Sequence, residues 1–235
     1  MNSVLIFIIV LITNIFEAMT GFGGTMLAMP WMIKLIGVNE AKILLNVISL
    51  TLAVATTIRY HKYTDIKQVI KISSIMMAGV VGGLYIYKMI PALFLVYLYG
   101  IFIIIVAIKG LIAKKYRNYS DAVMIIILLA AGVLQGMFLS GGALIVIYAV
   151  IKFKDKSVIR SNIAPVWIIL NGFIFIQDIV NKNFSEEIII LSLFALVPLL
   201  CSFIIGGIIH KKIKQTVFVK LTYILLIISG IMLFI

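Results

Sequence analysis

The chain has 235 residues, of which 64% are hydrophobic and 12% are charged. A soluble globular domain typically has about 45–50% apolar and about 25% charged residues, so this composition excludes that class and predicts one polytopic membrane domain. The net charge of +12 comes from basic residues that lie between apolar runs, which indicates anchoring beside anionic lipid and argues against nucleic-acid binding.

Apolar runs follow one another along the whole chain and are separated by short polar breaks. They cover residues 3–36, 43–58, 68–87, 91–112, 122–151, 160–177, 187–209 and 215–235. A helix of about 20 residues already crosses the hydrocarbon core, so the first and fifth runs are too long for one upright crossing. Both runs contain glycines near the middle, and we therefore predict that each forms a re-entrant helical hairpin.

The glycines of the first broken run form the segment Gly21-Phe22-Gly23-Gly24-Thr25. Glycine permits positive φ and lets backbone amides approach a ligand closely. A helix that begins after such a break presents unpaired N–H groups, which form a ready anion site. We therefore predict that Gly21, Gly23, Gly24 and Thr25 bind a substrate anion, with glycine-mediated helix packing as the alternative.

The fifth run is interpreted as a second copy of the first. A shift of 118 residues places Gly23-Gly24 on Gly141-Gly142, Glu17 on Gln135, Met19 on Met137, Lys34 on Lys152 and Lys42 on Arg160. In both copies a long broken run precedes three simple runs, so we predict two membrane repeats, residues 1–116 and 117–235. Ser140, Gly141 and Gly142 are then the second half of the predicted anion site.

The placement of lysines and arginines indicates how the repeats are oriented. If each broken run returns to the side that it entered, Lys34, Lys42, Lys88 and Lys182 stay on one side. The other lysines and arginines, apart from Lys220 inside the last run, gather on the opposite side, as the positive-inside rule expects. The predicted fold is all-α, with two inverted repeats that each combine a glycine-broken re-entrant helical hairpin with three transmembrane helices.

Polar side chains inside the apolar runs complete the predicted site. Asn46, Ser161 and Asn162 are candidate substrate donors, although amides and hydroxyls also join helices to one another. Glu17 is an ionisable group at membrane depth, which by default marks a functional site, so it is the candidate proton carrier. The alternative is that Glu17 only caps or hydrogen-bonds the hairpin, as Gln135 must do without ionising.

No catalytic, metal or cofactor site is predicted. The two histidines, His61 and His210, lie far apart in loops without neighbouring carboxylate clusters, which is not a metal-binding pattern. No Ser-His-Asp or Cys-His arrangement emerges from so few histidines. The sequence therefore predicts a protein that is not an enzyme.

Several motifs together resemble the TauE/SafE sulfite exporter family. They are Gly21-Phe22-Gly23-Gly24-Thr25, Met29-Pro30, Gly37-Val38-Asn39-Glu40-Ala41, Tyr60-His61-Lys62-Tyr63-Thr64-Asp65, Ser140-Gly141-Gly142 and Arg160-Ser161-Asn162. The resemblance implies an integral membrane permease, mostly bacterial, for sulfite, sulfonates or other small organosulfur anions. Leu139 stands where that family usually has the first glycine of its second copy.

These observations predict a secondary transporter, and more specifically an exporter, of small anions, with proton coupling through Glu17. A passive anion channel is the alternative, since it would use the same glycines without a titratable group. The expected location is the bacterial plasma membrane, with basic loops in the cytoplasm and both termini outside. The expected partners are a small anionic substrate and the lipid bilayer, and self-association into a homo-oligomer is left open.

Overall fold

The structure is a computed structural model that describes residues 2–112, 120–153 and 155–212, together with residues 220, 223–224, 227–228, 230–231 and 233–234. The described residues are 90% helical and contain no strand. The helices are α1 (Asn2–Thr20), α2 (Gly24–Ile36), α3 (Val38–Tyr60), α4 (Ile66–Met89), α5 (Ala92–Ile112), α6 (Asp121–Phe138), α7 (Gly142–Lys152), α8 (Lys156–Val180) and α9 (Glu186–Lys212), with a 3₁₀ turn at His61–Tyr63.

Six helices in the described residues are long and apolar enough to cross a membrane. They are Val38–Tyr63, Ile66–Met89, Leu93–Ile112, Asp121–Phe138, Ser157–Val180 and Glu186–Ile209. An all-helical, multi-pass membrane protein is therefore confirmed. The boundary between the predicted repeats at residues 116 and 117 lies outside the described residues, and so does most of the predicted run 215–235.

The break in the first run separates α1 from α2. Gly21 and Gly23 have φ angles of 87° and 90°, a region that glycine occupies at no steric cost because it lacks a Cβ. Ile6 near the start of α1 and Ile36 at the end of α2 line the same cavity, so the two helices run in opposite directions and form a hairpin. Its re-entry into a bilayer from one side stays a prediction.

The break in the second run separates α6 from α7 and contains no positive-φ glycine. Instead Leu139 has a φ of 54° and a ψ of 32°, which is the left-handed conformation that L-residues avoid. Leu139 is buried, and its N–H donates to the Gln135 carbonyl at 2.9 Å. The chain thus turns at the predicted position, but a leucine makes the turn where the first copy uses Gly21.

Helix packing follows the order of the predicted repeats. Helix α1 packs most extensively on α9 and α6 on α4, while α3 and α8 pack on each other in the centre. Under the shift of 118 residues α1 corresponds to α6 and α4 to α9, so each hairpin packs on the equivalent helix of the other half. Two copies of one unit related by a twofold axis would pack in this way, and their inverted orientation in a membrane stays a prediction.

Small residues bring the packed helices close together. A Cβ added to Gly83 of α4 would collide with the carbonyl of Val133 in α6, and one added to Gly206 of α9 would lie 2.7 Å from the Cβ of Ala18 in α1. Backbones approach this closely in membrane proteins because small residues remove the intervening side chains. These contacts hold the two hairpins against the long helices and so position their tips.

Candidate functional site

The tips of the two hairpins lie against each other. The Thr25 hydroxyl donates to the Leu139 carbonyl at 2.7 Å. A Cβ built on Gly142 would lie 3.2 Å from the Gly23 nitrogen. Residues of the two glycine segments, more than 110 positions apart in the chain, are therefore direct neighbours inside the bundle.

Glu17 caps the start of α2 from within the same hairpin. One carboxylate oxygen, Oε2, accepts from the Thr25 N–H at 3.2 Å, and the Gly24 N–H also donates to this side chain. The other oxygen, Oε1, accepts from the Ser49 hydroxyl at 3.2 Å. Glu17 is only 5% exposed, so the alternative role as a hydrogen-bonded cap is present in the structure. Proton transfer by Glu17 stays a prediction.

Gln135 takes the equivalent position in the second hairpin. Its Oε1 accepts from the Gly141 N–H at 3.0 Å, and its Nε2 donates to Asn171 Oδ1 at 2.6 Å. Asn171 Nδ2 in turn donates to the Ser49 hydroxyl at 3.1 Å, which continues to Glu17. One continuous chain of side-chain hydrogen bonds, Glu17–Ser49–Asn171–Gln135, therefore joins the two hairpin tips through α3 and α8. We call it the central network.

The central network changes the predicted use of the backbone amides. The N–H groups of Gly24 and Thr25 donate to Glu17, and the Gly141 N–H donates to Gln135. In this arrangement these amides are engaged by side chains of their own hairpins and do not face an open anion site. Direct binding of an anion by these amides stays a prediction.

Ser161 and Asn162 follow Arg160 in α8 and bond to the loop between α3 and α4. The Ser161 hydroxyl and Asn162 Nδ2 both donate to the Tyr63 carbonyl, at 2.9 and 3.1 Å. Asn162 Oδ1 accepts from the Asp65 N–H at 2.8 Å. These side chains tie the loop between α3 and α4 to the first turns of α8, and their role as substrate donors stays a prediction.

Asn46 and Ser140 remain close to the tips. Asn46 Nδ2 donates to the Asn171 carbonyl at 3.2 Å, while its Oδ1 is buried without a partner among the described residues. The Ser140 hydroxyl is hydrogen-bonded to the Tyr99 hydroxyl and to the Phe138 carbonyl. Asn46 therefore keeps an unused acceptor beside the central network, whereas Ser140 fixes the second tip to α5.

Arg160 is the residue that the sequence reasoning missed as part of a site. It is 1% exposed and lies beside Gly21, where an added Cβ would be 3.1 Å from Arg160 Cγ. Its Nη1 donates to the Tyr60 hydroxyl at 3.1 Å, and its guanidinium carbon lies 4.3 Å from the centre of the Tyr60 ring. Nε and Nη2 have no partner among the described residues. Its position next to Ser161-Asn162 was the signal in the sequence that could have identified it. The sequence analysis instead counted Arg160 only among the basic residues that indicate membrane orientation.

Lys42, which the shift of 118 residues places on Arg160, has a similar setting. Its Nζ lies 3.7 Å from the centre of the Tyr87 ring and donates to the Gly136 carbonyl at 3.3 Å. Each cation thus rests on a tyrosine and near the tip of the other half's hairpin. The carboxylate of Asp178 also acts electrostatically on the charge of Lys42. Among the described groups that act on Arg160, there is no such carboxylate.

Among the described residues, no group of three or more His, Cys, Asp or Glu side chains could hold a metal ion.

Comparisons with known proteins identify a family. The family model "Sulfite exporter TauE/SafE" matches residues 6–233, which is nearly the whole chain and includes both hairpins, the central network and Arg160. A search of curated proteins and a search of solved structures each found no match.

Proposed function

The chain belongs to the sulfite exporter TauE/SafE family, and on this premise we propose that it is a secondary transporter that exports small anions such as sulfite and sulfonates, coupled to protons through Glu17. The observation that carries the proposal is the central network. Buried polar groups are costly in an apolar bundle unless they are hydrogen-bonded, and here they connect the tips of both hairpins at the middle of the long helices α3 and α8.

Transport by alternating access requires the two tips to separate and rejoin. The bonds that must break are the Thr25–Leu139 contact and the links through Ser49 and Asn171. All of these are single hydrogen bonds between side chains or to one carbonyl, and each contributes about 0.5–1.5 kcal/mol net, or about 1.5–3 kcal/mol for the bond from Ser49 to the ionised Glu17. The junction is therefore weak enough to open within a transport cycle, while the helices that carry it stay intact.

A proton on Glu17 would change this junction directly. The ionised carboxylate accepts from Ser49 and from two amides at the start of α2. A protonated carboxyl group has one O–H to donate, and if the proton sits on Oε1 this oxygen can donate to the Ser49 hydroxyl instead of accepting from it. The link between the first hairpin and α3 is then rearranged, which couples the charge of Glu17 to the separation of the tips.

We further propose that the protein lies in the plasma membrane with its basic loops in the cytoplasm and both termini outside, as the distribution of lysines and arginines favours. Reporter fusions at residues 62 and 182 test this orientation. Reporter activity from residue 62 on the outer side would contradict it.

Flux measurements test the transport proposal. Purified protein in liposomes should move sulfite and methanesulfonate, and the flux should respond to an imposed pH gradient. Glu17→Gln keeps the shape of the side chain and gives this position the amide of its counterpart Gln135, so the variant should fold and keep flux but lose the response to pH. Glu40→Gln, at an exposed acid, is the matched control and should behave as the wild type.

Two results would overturn the proposal in different ways. If wild-type flux follows only the anion gradient and ignores pH, the protein is a passive anion pathway and Glu17 is a cap. If the wild type moves neither anion under any gradient, the assignment of transport to these substrates is wrong.

A further inference from the structure

We propose that Arg160 is a binding residue for an oxyanion that carries two oxygens on one atom, such as a sulfonate or sulfite, and that the oxyanion is held on the Nε–Nη2 edge of the guanidinium. The inference rests on the proposed transport function for its biological meaning, but its test is a binding measurement that does not require transport. The three observations behind it are the free edge of the guanidinium, the lack of a carboxylate among the described groups that act on Arg160, and the close packing of the first hairpin tip on this residue.

The unused donors of Arg160 form one geometric unit. Nη1 is occupied by the Tyr60 hydroxyl, while Nε and Nη2 are buried without a partner among the described residues. The N–H bonds of these two nitrogens are parallel and point outward from the same edge of the planar guanidinium. That edge matches two oxygens of one carboxylate, phosphate or sulfur oxyanion, and such bidentate pairs are a specific property of arginine.

Among the described groups, no carboxylate acts on the charge of Arg160. The described groups that act on it electrostatically are the neutral Tyr60 phenol and the like-charged Arg59, and the side chain is 1% exposed. A buried charge is retained in proteins when it is paired or hydrogen-bonded. An anion on the free edge supplies both the missing charge and the missing acceptors.

The first hairpin tip packs directly against Arg160. Gly21 has no side chain where a Cβ would come within 3.1 Å of Arg160 Cγ, and its carbonyl accepts from Trp167 Nε1 at 3.1 Å, which fixes the hairpin tip next to the guanidinium. Toward the surface, the half-buried Tyr60 ring covers Arg160, with the exposed Arg59 5.9 Å from the same ring.

Arg160 lies five residues into α8, and Asn171 lies eleven residues further on. At about 1.5 Å per residue, roughly 16 Å of helix separates Arg160 from Asn171, whereas Gly21 contacts Arg160 directly and its N–H donates to the Glu17 carbonyl. The site thus lies beside the first hairpin tip, near the Glu17 end of the central network, and in the predicted orientation it is on the side where the basic loops gather.

Binding to the purified full-length protein in lipid nanodiscs tests the inference. Calorimetric titrations at constant ionic strength would compare methanesulfonate, sulfite and acetate with chloride, which has no second oxygen. We expect the wild type to bind methanesulfonate or sulfite at least about tenfold more tightly than chloride. Arg160→Lys keeps the charge and loses the two-donor edge, so it should bind the oxyanions at least about tenfold more weakly and lose the preference over chloride.

Arg59→Lys is the matched control, since it makes the same change at the exposed arginine beside the same tyrosine, and it should keep the wild-type preference. Acetate tests whether the site requires a sulfur oxyanion or accepts any anion with two oxygens on one atom. Binding of acetate as tight as that of methanesulfonate assigns the site to oxyanions in general, which still supports the inference but broadens the ligand class. Retention of the preference in Arg160→Lys, or equal affinity of the wild type for chloride and for all of the oxyanions, would overturn it.

A second measurement keeps the test decisive if Arg160→Lys does not fold. The chain contains three arginines, at positions 59, 117 and 160, so their Nε resonances can be assigned in ¹⁵N-labelled protein by elimination with Arg59→Lys and Arg117→Lys. Methanesulfonate should shift the Arg160 resonance, whereas equal chloride should not. An Arg160 resonance that ignores methanesulfonate refutes the inference even if liposomes transport it, while binding without transport would refute the proposed function alone.

Discussion

The first hairpin tip requires a positive φ at Gly21 and leaves no room for a Cβ there. Single alanine substitutions at Gly21, Gly23 and Gly82 separate the effects of these two requirements on stability. Gly21 has a φ of 87°, and an added Cβ would lie 3.1 Å from Arg160 Cγ and 3.3 Å from Arg160 Cα. The left-handed backbone costs a residue with a Cβ about 1–2 kcal/mol, and crowding against a packed helix adds about 1–3 kcal/mol. Gly21→Ala should therefore destabilise the protein by about 2–5 kcal/mol.

Gly23 and Gly82 separate the cost of the left-handed backbone from the cost of crowding. Gly23 has a φ of 90° but an added Cβ meets nothing within 4 Å, and Gly82 lies inside α4 with neither a positive φ nor a contact. Gly23→Ala should cost only the backbone term of about 1–2 kcal/mol. Gly82→Ala should be neutral or stabilising by up to about 1 kcal/mol, because alanine is the better helix former.

The assay is the apparent melting temperature of the purified variants in one detergent. For a chain of this size 1 kcal/mol corresponds to about 2–4 °C, so we expect losses of roughly 4–20 °C for Gly21→Ala and roughly 2–8 °C for Gly23→Ala. Equal melting temperatures for Gly21→Ala and Gly82→Ala would refute the described tip. A loss in Gly21→Ala no larger than in Gly23→Ala would refute the close approach of Arg160.

Two further predictions concern the hydrogen bonds and the helix packing that hold the tips. Asn171→Leu removes the amide between Ser49 and Gln135 and should destabilise the protein by at least about 1–3 kcal/mol, measured as a lower melting temperature. Asn183→Leu, at an exposed asparagine, should change the melting temperature little. Equal effects of the two substitutions would contradict the central network. Gly83→Leu would force a side chain into the α4–α6 contact and should abolish the monodisperse peak in size-exclusion chromatography, while Gly82→Leu, where an added Cβ meets nothing within 4 Å, should keep it. A normal peak for Gly83→Leu would mean that α4 and α6 do not pack as described.

Much of the architecture could be read from the sequence because the bilayer imposes strong rules on composition. Apolar runs of sufficient length predicted the helices, and the glycines at Gly21–Gly24 predicted the break between α1 and α2. The predicted repeat rested on the second glycine pair, on the residues that the shift of 118 positions aligns and on the order of the runs. Leu139 shows the limit of that reading, since a leucine carries no local signal for a left-handed turn and only its alignment with Gly21 marks the position.

The candidate site was harder to predict because a side chain's partner is decided by tertiary contacts. Glu17 and Gln135 were paired by the repeat, but the sequence could not tell whether they leave the helix amides open or bond to them. Arg160 posed the opposite difficulty. The positive-inside count treats every lysine and arginine at a run boundary alike, and only the packing of α8 against the first hairpin separates a buried guanidinium from a solvated one.

The asymmetry between the halves carries the argument about mechanism. Two identical repeats would make the two halves of the transport cycle equivalent. The two predicted copies differ at both positions near the tips that carry a charged side chain, with Glu17 aligned to Gln135 and Lys42 aligned to Arg160. The titratable member lies in the first hairpin, and the uncompensated cation beside that same hairpin comes from the second half. Because Gly21 contacts Arg160 and Glu17 lies one helical turn earlier in α1, motion of that hairpin changes the environment of both charges at once. In the proposed mechanism a proton on Glu17 and an anion on Arg160 would therefore bias the same movement, as coupled transport requires.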